Sequence, residues 1–118
     1  MSRSSKSKVK SNYVSVARDF SPHPGPRLER QGEHSGEAFR KVLVQMLREH
    51  DRIKVNLDGT SGYGSSFLDE AFGGLVSKDG FSAADVLRRV ELQSEEDRTY
   101  IDEVHEAIEL AEPRKVYA

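Results

Sequence analysis

Asp58, Thr60, Ser61, Ser65 and Ser66 fall within nine consecutive positions of the stretch LDGTSGYGSSFLDEAFGGL, residues 57–75, which also holds five glycines. Glycine is costly to order, so its density beside the core-forming Phe67, Leu68, Phe72 and Leu75 calls for a reason. A phosphate-binding P-loop needs a lysine directly after its last glycine. Here Gly64 is followed by Ser65, Ser66 and Phe67, and the next lysine is Lys78. A dinucleotide fingerprint fails at its third glycine, where Phe67 stands. A hydrolase nucleophile elbow carries glycine two residues either side of its serine. Ser66 has Gly64 before it but Leu68 after it, and Ser65 lies between Tyr63 and Phe67.

The four histidines, His23, His34, His50 and His105, offer a base without a recognisable catalytic context. No pair of them has the i, i+4 spacing of a helical zinc site, and the chain has no cysteine, so no metal or cofactor is expected. Two readings of the stretch remain. One is a tight turn and a helix cap, with Ser66 as the cap and Asp69 completing a capping box three residues later. The other is a serine at a helix N-terminus that accepts a phosphate, where the helix dipole and free N–H groups favour the added charge.

The elements that hold this stretch are legible from periodicity. Residues 13–20 predict a first strand, with Val14 and Val16 on one face. Pro22, Pro24, Gly25 and Pro26 then impose a surface loop over 21–34, with a short edge strand at 27–29. Ser35 is placed to cap a helix over 36–50, whose Phe39, Val42, Leu43, Met46 and Leu47 share a face. Ile53, Val55 and Leu57 alternate with polar residues as a strand. From Ser66 a helix turns Phe67, Leu68, Ala71, Phe72, Leu75 and Val76 inward, with Asp69 and Glu70 outward. Gly73 and Gly74 weaken it by about 1 kcal/mol each relative to alanine, for a close approach to a strand or an early helix end. Ser82 opens a short helix to about Arg88, a third clear strand follows at 90–93, and Ser94-Glu95-Glu96-Asp97 caps a last helix to about Ala111. This alternation predicts an α/β domain with a mixed or parallel sheet of about four strands, helices lying mainly on one face.

The formal net charge of −2 is unevenly spread. Arg3, Lys6, Lys8 and Lys10 make residues 1–12 a basic tail, expected to be disordered. Its four cations without an aromatic give no strong nucleic-acid signal. Residues 91–112 carry nine acidic groups against one basic one, Arg98. No apolar run approaches the roughly 20 residues of a membrane span, and no secretory leader is visible, so a soluble cytoplasmic protein is expected. One domain over 13–112, between the tail and a short C-terminal tail at 113–118, exhausts the length, and a monomer is expected.

The run Ile53-Lys54-Val55-Asn56-Leu57, the loop, and Ser65-Ser66-Phe67-Leu68 resemble the central segment of a STAS domain (sulphate transporter and anti-sigma factor antagonist). Asp58-Gly59-Thr60 and the run from Gly62 to Leu75 are similar more closely to a bacterial STAS-like family of unknown function. The likeness extends from about Tyr13 to Ala111. In anti-sigma factor antagonists a strand acid is followed nine positions later by a phosphorylated serine. Asn56 and Ser65 have that spacing here, with Gly64 where the family pattern has an aspartate. The resemblance implies a small STAS-like fold and a non-enzymatic, regulatory protein-interaction module. Its implied partner is a histidine-kinase-like ATPase with serine kinase activity, and Ser65 is the candidate phosphorylation position. The expected contact surface is Thr60, Tyr63, Gly64, Ser65, Ser66, Asp69 and Glu70, with Tyr63 either an exposed anchor or packed across its own loop. The alternatives are a small-ligand or nucleotide sensor at the same strand edge, and a small hydrolase or transferase using Ser65, Ser66 or Asp58.

Overall fold

A computed structural model describes residues 11–114. Three parallel strands, β1 (Tyr13–Ser15), β2 (Ile53–Asn56) and β3 (Val90–Gln93), lie in the order β1-β2-β3. The register pairs Val14 with Val55 and Ile53 with Val90, so buried apolar residues share one face. Tyr13, Lys54 and Glu91 align on the other face, which is polar and partly open to solvent. The class is α/β, as the alternation of elements predicts, with three strands rather than four. Among the described residues no helix is long and apolar enough to cross a membrane. Ten of the twelve residues of the expected basic tail, and the last four of the chain, lie outside the described residues.

The first strand is shorter than its pattern suggests, because Ser15 ends it. The Ser15 hydroxyl accepts from the Arg18 N–H at 3.2 Å and the Asp19 carboxylate accepts from the Ser15 N–H at 2.8 Å. Local side-chain bonds of this kind compete with strand pairing, and Val16–Phe20 coils into a wide helical turn instead. The edge strand expected at 27–29 is absent too; Glu29–Gln31 forms a single tight helical turn.

Helix α1 (Gly36–Glu49) starts where Ser35 predicts, with the Ser35 hydroxyl accepting from the Ala38 N–H at 3.0 Å. Its Phe39, Leu43, Met46 and Leu47 are buried, each stabilising the fold by about 1.5–3 kcal/mol. After β2, residues 65–77 form one continuous helix: α2 (Ser65–Leu68), a wider-wound stretch at Asp69–Gly73, and α3 (Gly74–Ser77). From Phe67 to Val76 every residue except Asp69 is buried, so this helix is the centre of the domain rather than an amphipathic lid. Gly73 explains how neighbours come so close: a Cβ there would meet the Ala107 carbonyl of the last helix at 2.9 Å. The close approach is therefore helix to helix, not helix to strand. Helix α4 (Ala83–Arg89), capped by Ser82, leads into β3.

Helix α5 (Thr99–Leu110) begins later than the Ser94 sequence suggests. The Glu95 and Glu96 N–H groups that follow Ser94 donate instead to the Asp58 carboxylate, at 2.9 Å each. Asp97 serves the helix start, its carboxylate accepting from the Thr99 N–H at 3.0 Å.

Candidate functional site

The loop after β2 is tied down at almost every polar group. Asp58 reaches across to the loop before α5, and Glu96 returns the contact by accepting from the Gly59 N–H at 3.0 Å. Gly59 and Gly62 adopt φ of 92° and 125°, backbone that side chains strain to reach, so the turn itself demands them. The Thr60 hydroxyl accepts from the Gly62 N–H at 3.2 Å. Asp58 and Thr60 are thus committed to the turn.

Tyr63 is an internal strut, not an exposed anchor. It is 9% exposed, its hydroxyl donates to the Leu57 carbonyl at 2.7 Å, and its ring meets Tyr100 edge-on at 5.0 Å. Packing across its own loop is the arrangement the fold adopts. Burial pushes the Tyr63 phenol well above the ordinary tyrosine value of 10, only partly opposed by the nearby Thr60 hydroxyl. The fold therefore requires the neutral phenol. This contribution is complete below pH 10 and is lost as pH rises above 10 toward the raised folded-state value. Tyr63→Phe is expected to flatten the alkaline limb of the stability profile relative to wild type. Urea titrations from pH 8 to 11.5 check it; parallel profiles for the two proteins would contradict the assignment.

With Tyr63 fixed, the chain enters its helix two residues earlier than Ser66 capping would require, with Gly64 at the cap position. The Phe67 and Leu68 N–H groups donate to the Gly64 carbonyl at 3.1 and 3.3 Å, and no side chain caps this start. The capping box of Ser66 and Asp69 does not form. Gly64, Ser65 and Ser66 are exposed, and Asp69 lies one turn beyond Ser65, exposed and held by Arg27 at 2.7 Å.

Glu70 points the other way, correcting its expected outward position. It is 2% exposed and packed against Arg40, with Lys78 Nζ at 2.9 Å and Arg27 at 3.5 Å. The wound-out stretch at Asp69–Gly73 and the wrapping of the helix by α1 and α5 leave Glu70 no solvent face. Of the seven expected contact residues, Gly64, Ser65, Ser66 and Asp69 form one exposed strip, whereas Thr60, Tyr63 and Glu70 serve the fold.

Hydrolase geometry is not assembled at Ser65 or Ser66. Among the described residues the serine that hydrogen-bonds a histidine is Ser61, whose hydroxyl is 3.2 Å from His23 Nδ1. That pair is exposed, and no side chain among the described residues hydrogen-bonds the other imidazole nitrogen to orient it. A cavity of about 150 Å3 at this strand edge, lined by Asp58, Thr60 and Tyr100, is smaller than the roughly 300–1,000 Å3 of ordinary small-molecule sites.

Sequence reasoning missed the other wall of the exposed strip. Ser65, Leu68 and Asp69 line a groove of about 390 Å3 with Glu103, Glu106 and Leu110 of α5, and Arg27 also lines it. The acidic excess over 91–112 was the visible signal, but periodicity within α5 does not say which helix its acidic side flanks.

The family described as a STAS-like domain of unknown function (DUF4325) matches residues 35–99, from the cap of α1 to the first residue of α5. No curated protein and no solved structure matches the chain.

Proposed function

We propose that this chain, which belongs to the family of STAS-like domains of unknown function, is a non-enzymatic interaction module that regulates a signalling protein. The observation that carries the reading is the exposed step Gly64-Ser65-Ser66. Gly64 has φ −79° and ψ 153°, backbone any residue adopts, and a Cβ there would meet nothing within 4 Å. The fold does not require glycine at this position, unlike Gly59 and Gly62. A bare backbone followed by two hydroxyls that make no hydrogen bond among the described residues suits close approach by another protein, while Tyr63 and Phe67 hold the step from below.

The partner class follows the STAS resemblance: a histidine-kinase-like ATPase with serine kinase activity. Ser65 is then the acceptor: its hydroxyl oxygen bonds the terminal phosphorus of a nucleoside triphosphate, the β–γ phosphoanhydride bond breaks to release the nucleoside diphosphate, and the hydroxyl proton passes to a base of the kinase. Two charges added one turn before Asp69 would change the electrostatics of the whole strip.

Affinity purification from the native host with and without ATP, read by mass spectrometry, tests the reading. A kinase-like ATPase retained by the full chain is expected, and no specific partner in either condition overturns it. At the interface so found, Ser65→Glu should change affinity by about tenfold while leaving the circular dichroism spectrum unchanged. Equal affinity for Ser65→Glu and wild type would remove the serine switch.

A further inference from the structure

The groove beside Ser65 continues along the central helix. A second depression of about 420 Å3 shares Arg27, Asp69 and Leu110 with the first, and ends near Lys78 and Glu112. Leu110, 73% exposed, is the exposed large hydrophobic residue of the described chain, and Leu68 and Ala107 continue its apolar floor. A single exposed leucine is ordinary on any surface. Here it is bordered by Asp69 on one helix and Glu103 and Glu106 on the other, and Glu109 precedes it.

The charges of this border are unequally compensated. Arg27 is clasped to Asp69 at 2.7 Å and Lys78 to Glu70 at 2.9 Å. Among the described residues Glu103 and Glu106 have no ion-pair partner. An apolar floor with an uncompensated acidic wall is the complement of one kind of ligand.

We propose that the groove takes a basic amphipathic helix of a partner protein, its apolar ridge seated on Leu110 and Ala107 and its lysines or arginines facing Glu103 and Glu106. Helix-in-groove recognition uses apolar anchors spaced i, i+3 or i+4, and i+7, with flanking charges setting orientation. Acidic ligands such as nucleic acid or an anionic lipid surface are repelled by the same wall. The inference rests on the interaction-module reading and gives it a sign: because Ser65 lines the groove, a negative charge there strengthens the attraction.

The test is a nuclear magnetic resonance titration of the full chain at physiological salt with a synthetic leucine–lysine helix of about 18 residues, long enough for five turns. A control peptide of the same composition has its leucines spread around the helix. Shift changes are expected at Asp69, Glu103, Glu106 and Leu110. Leu110→Ser, and separately Glu103→Lys with Glu106→Lys, should each weaken binding by about tenfold or more, whereas Ser65→Glu should tighten it about two- to tenfold. Equal binding of the control peptide, shifts centred on Glu95, Glu96 and Asp97, or indifference to Leu110→Ser would each overturn the proposal. A native partner that cross-links to Ser65 but ignores the groove variants would sink this inference and leave the module reading standing. Peptide binding in the groove with no cellular partner would do the reverse.

Discussion

Glu70→Ala is expected to lower the unfolding free energy by about 3–5 kcal/mol, the range for removing one member of a buried ion pair. Glu70 is 2% exposed and faces Arg40, whose side chain is itself 10% exposed. Lys78 and Arg27 also reach it, but they are 49% and 39% exposed, so water already screens much of what they contribute. Arg40 carries the cost. Without Glu70 its remaining carboxylate is Asp79, whose Oδ2 lies 3.0 Å from Arg40 Nε but not in line for a hydrogen bond. The loss is a large fraction of the roughly 5–15 kcal/mol that holds a domain of this size.

Urea unfolding followed by circular dichroism measures it, with Glu70→Gln as the variant that keeps volume and hydrogen bonding and should lose less. Replacing both partners, Glu70→Leu with Arg40→Met, should recover most of the stability, because a buried pair costs much of its attraction in desolvation. A loss below about 1 kcal/mol in Glu70→Ala would show that the pair behaves as a surface bridge.

Glu70 also marks where the sequence stopped being legible. Periods of two and 3.6 report which residues prefer to face a core, and they placed β2, β3, α1 and the helix beyond the glycine loop close to where those elements lie. The sequence reading put Glu70 outside because it is charged. What reversed it was tertiary: α1 closes over the far side of the helix, and Arg40, thirty residues away, supplies the charge that makes burial tolerable. The Ser66 and Ser94 caps failed for a related reason. Each was a sound local option that a contact outside the cap displaced, Tyr63 through the Leu57 carbonyl and the distant Asp58 through the Glu95 and Glu96 amides. The exposed serines were legible because nothing distant competes for them. Leu110 and the acidic wall of α5 were not, since a groove exists only once two helices have been set side by side.

Phe67→Ala is expected to cost about 3–5 kcal/mol and to loosen the serine step selectively. Phe67 is fully buried, and its ring centroid lies 5.7 Å from Tyr63, 6.1 Å from Phe39 and 6.3 Å from Phe20. Those three rings come from the glycine loop, α1 and the turn after β1, so one side chain joins every segment that supports the exposed strip. The surroundings cannot collapse freely into the space it would leave. Gly36, at the start of α1, already sits where a Cβ would be 2.6 Å from the Phe67 carbonyl oxygen. The backbones are therefore in contact, and the cavity would stay open.

Phe67→Leu, which fills most of the volume, should cost less than about 1.5 kcal/mol. Native-state hydrogen exchange separates the local from the global effect: amides of 65–68 in Phe67→Ala should lose more protection than those of 43–47 in α1, because the cavity adjoins the former. Uniform loss across both segments would mean that Phe67 stabilises the domain as a whole without positioning the serines. A stability change within about 0.5 kcal/mol, the ordinary range for exposed positions, would contradict its burial outright.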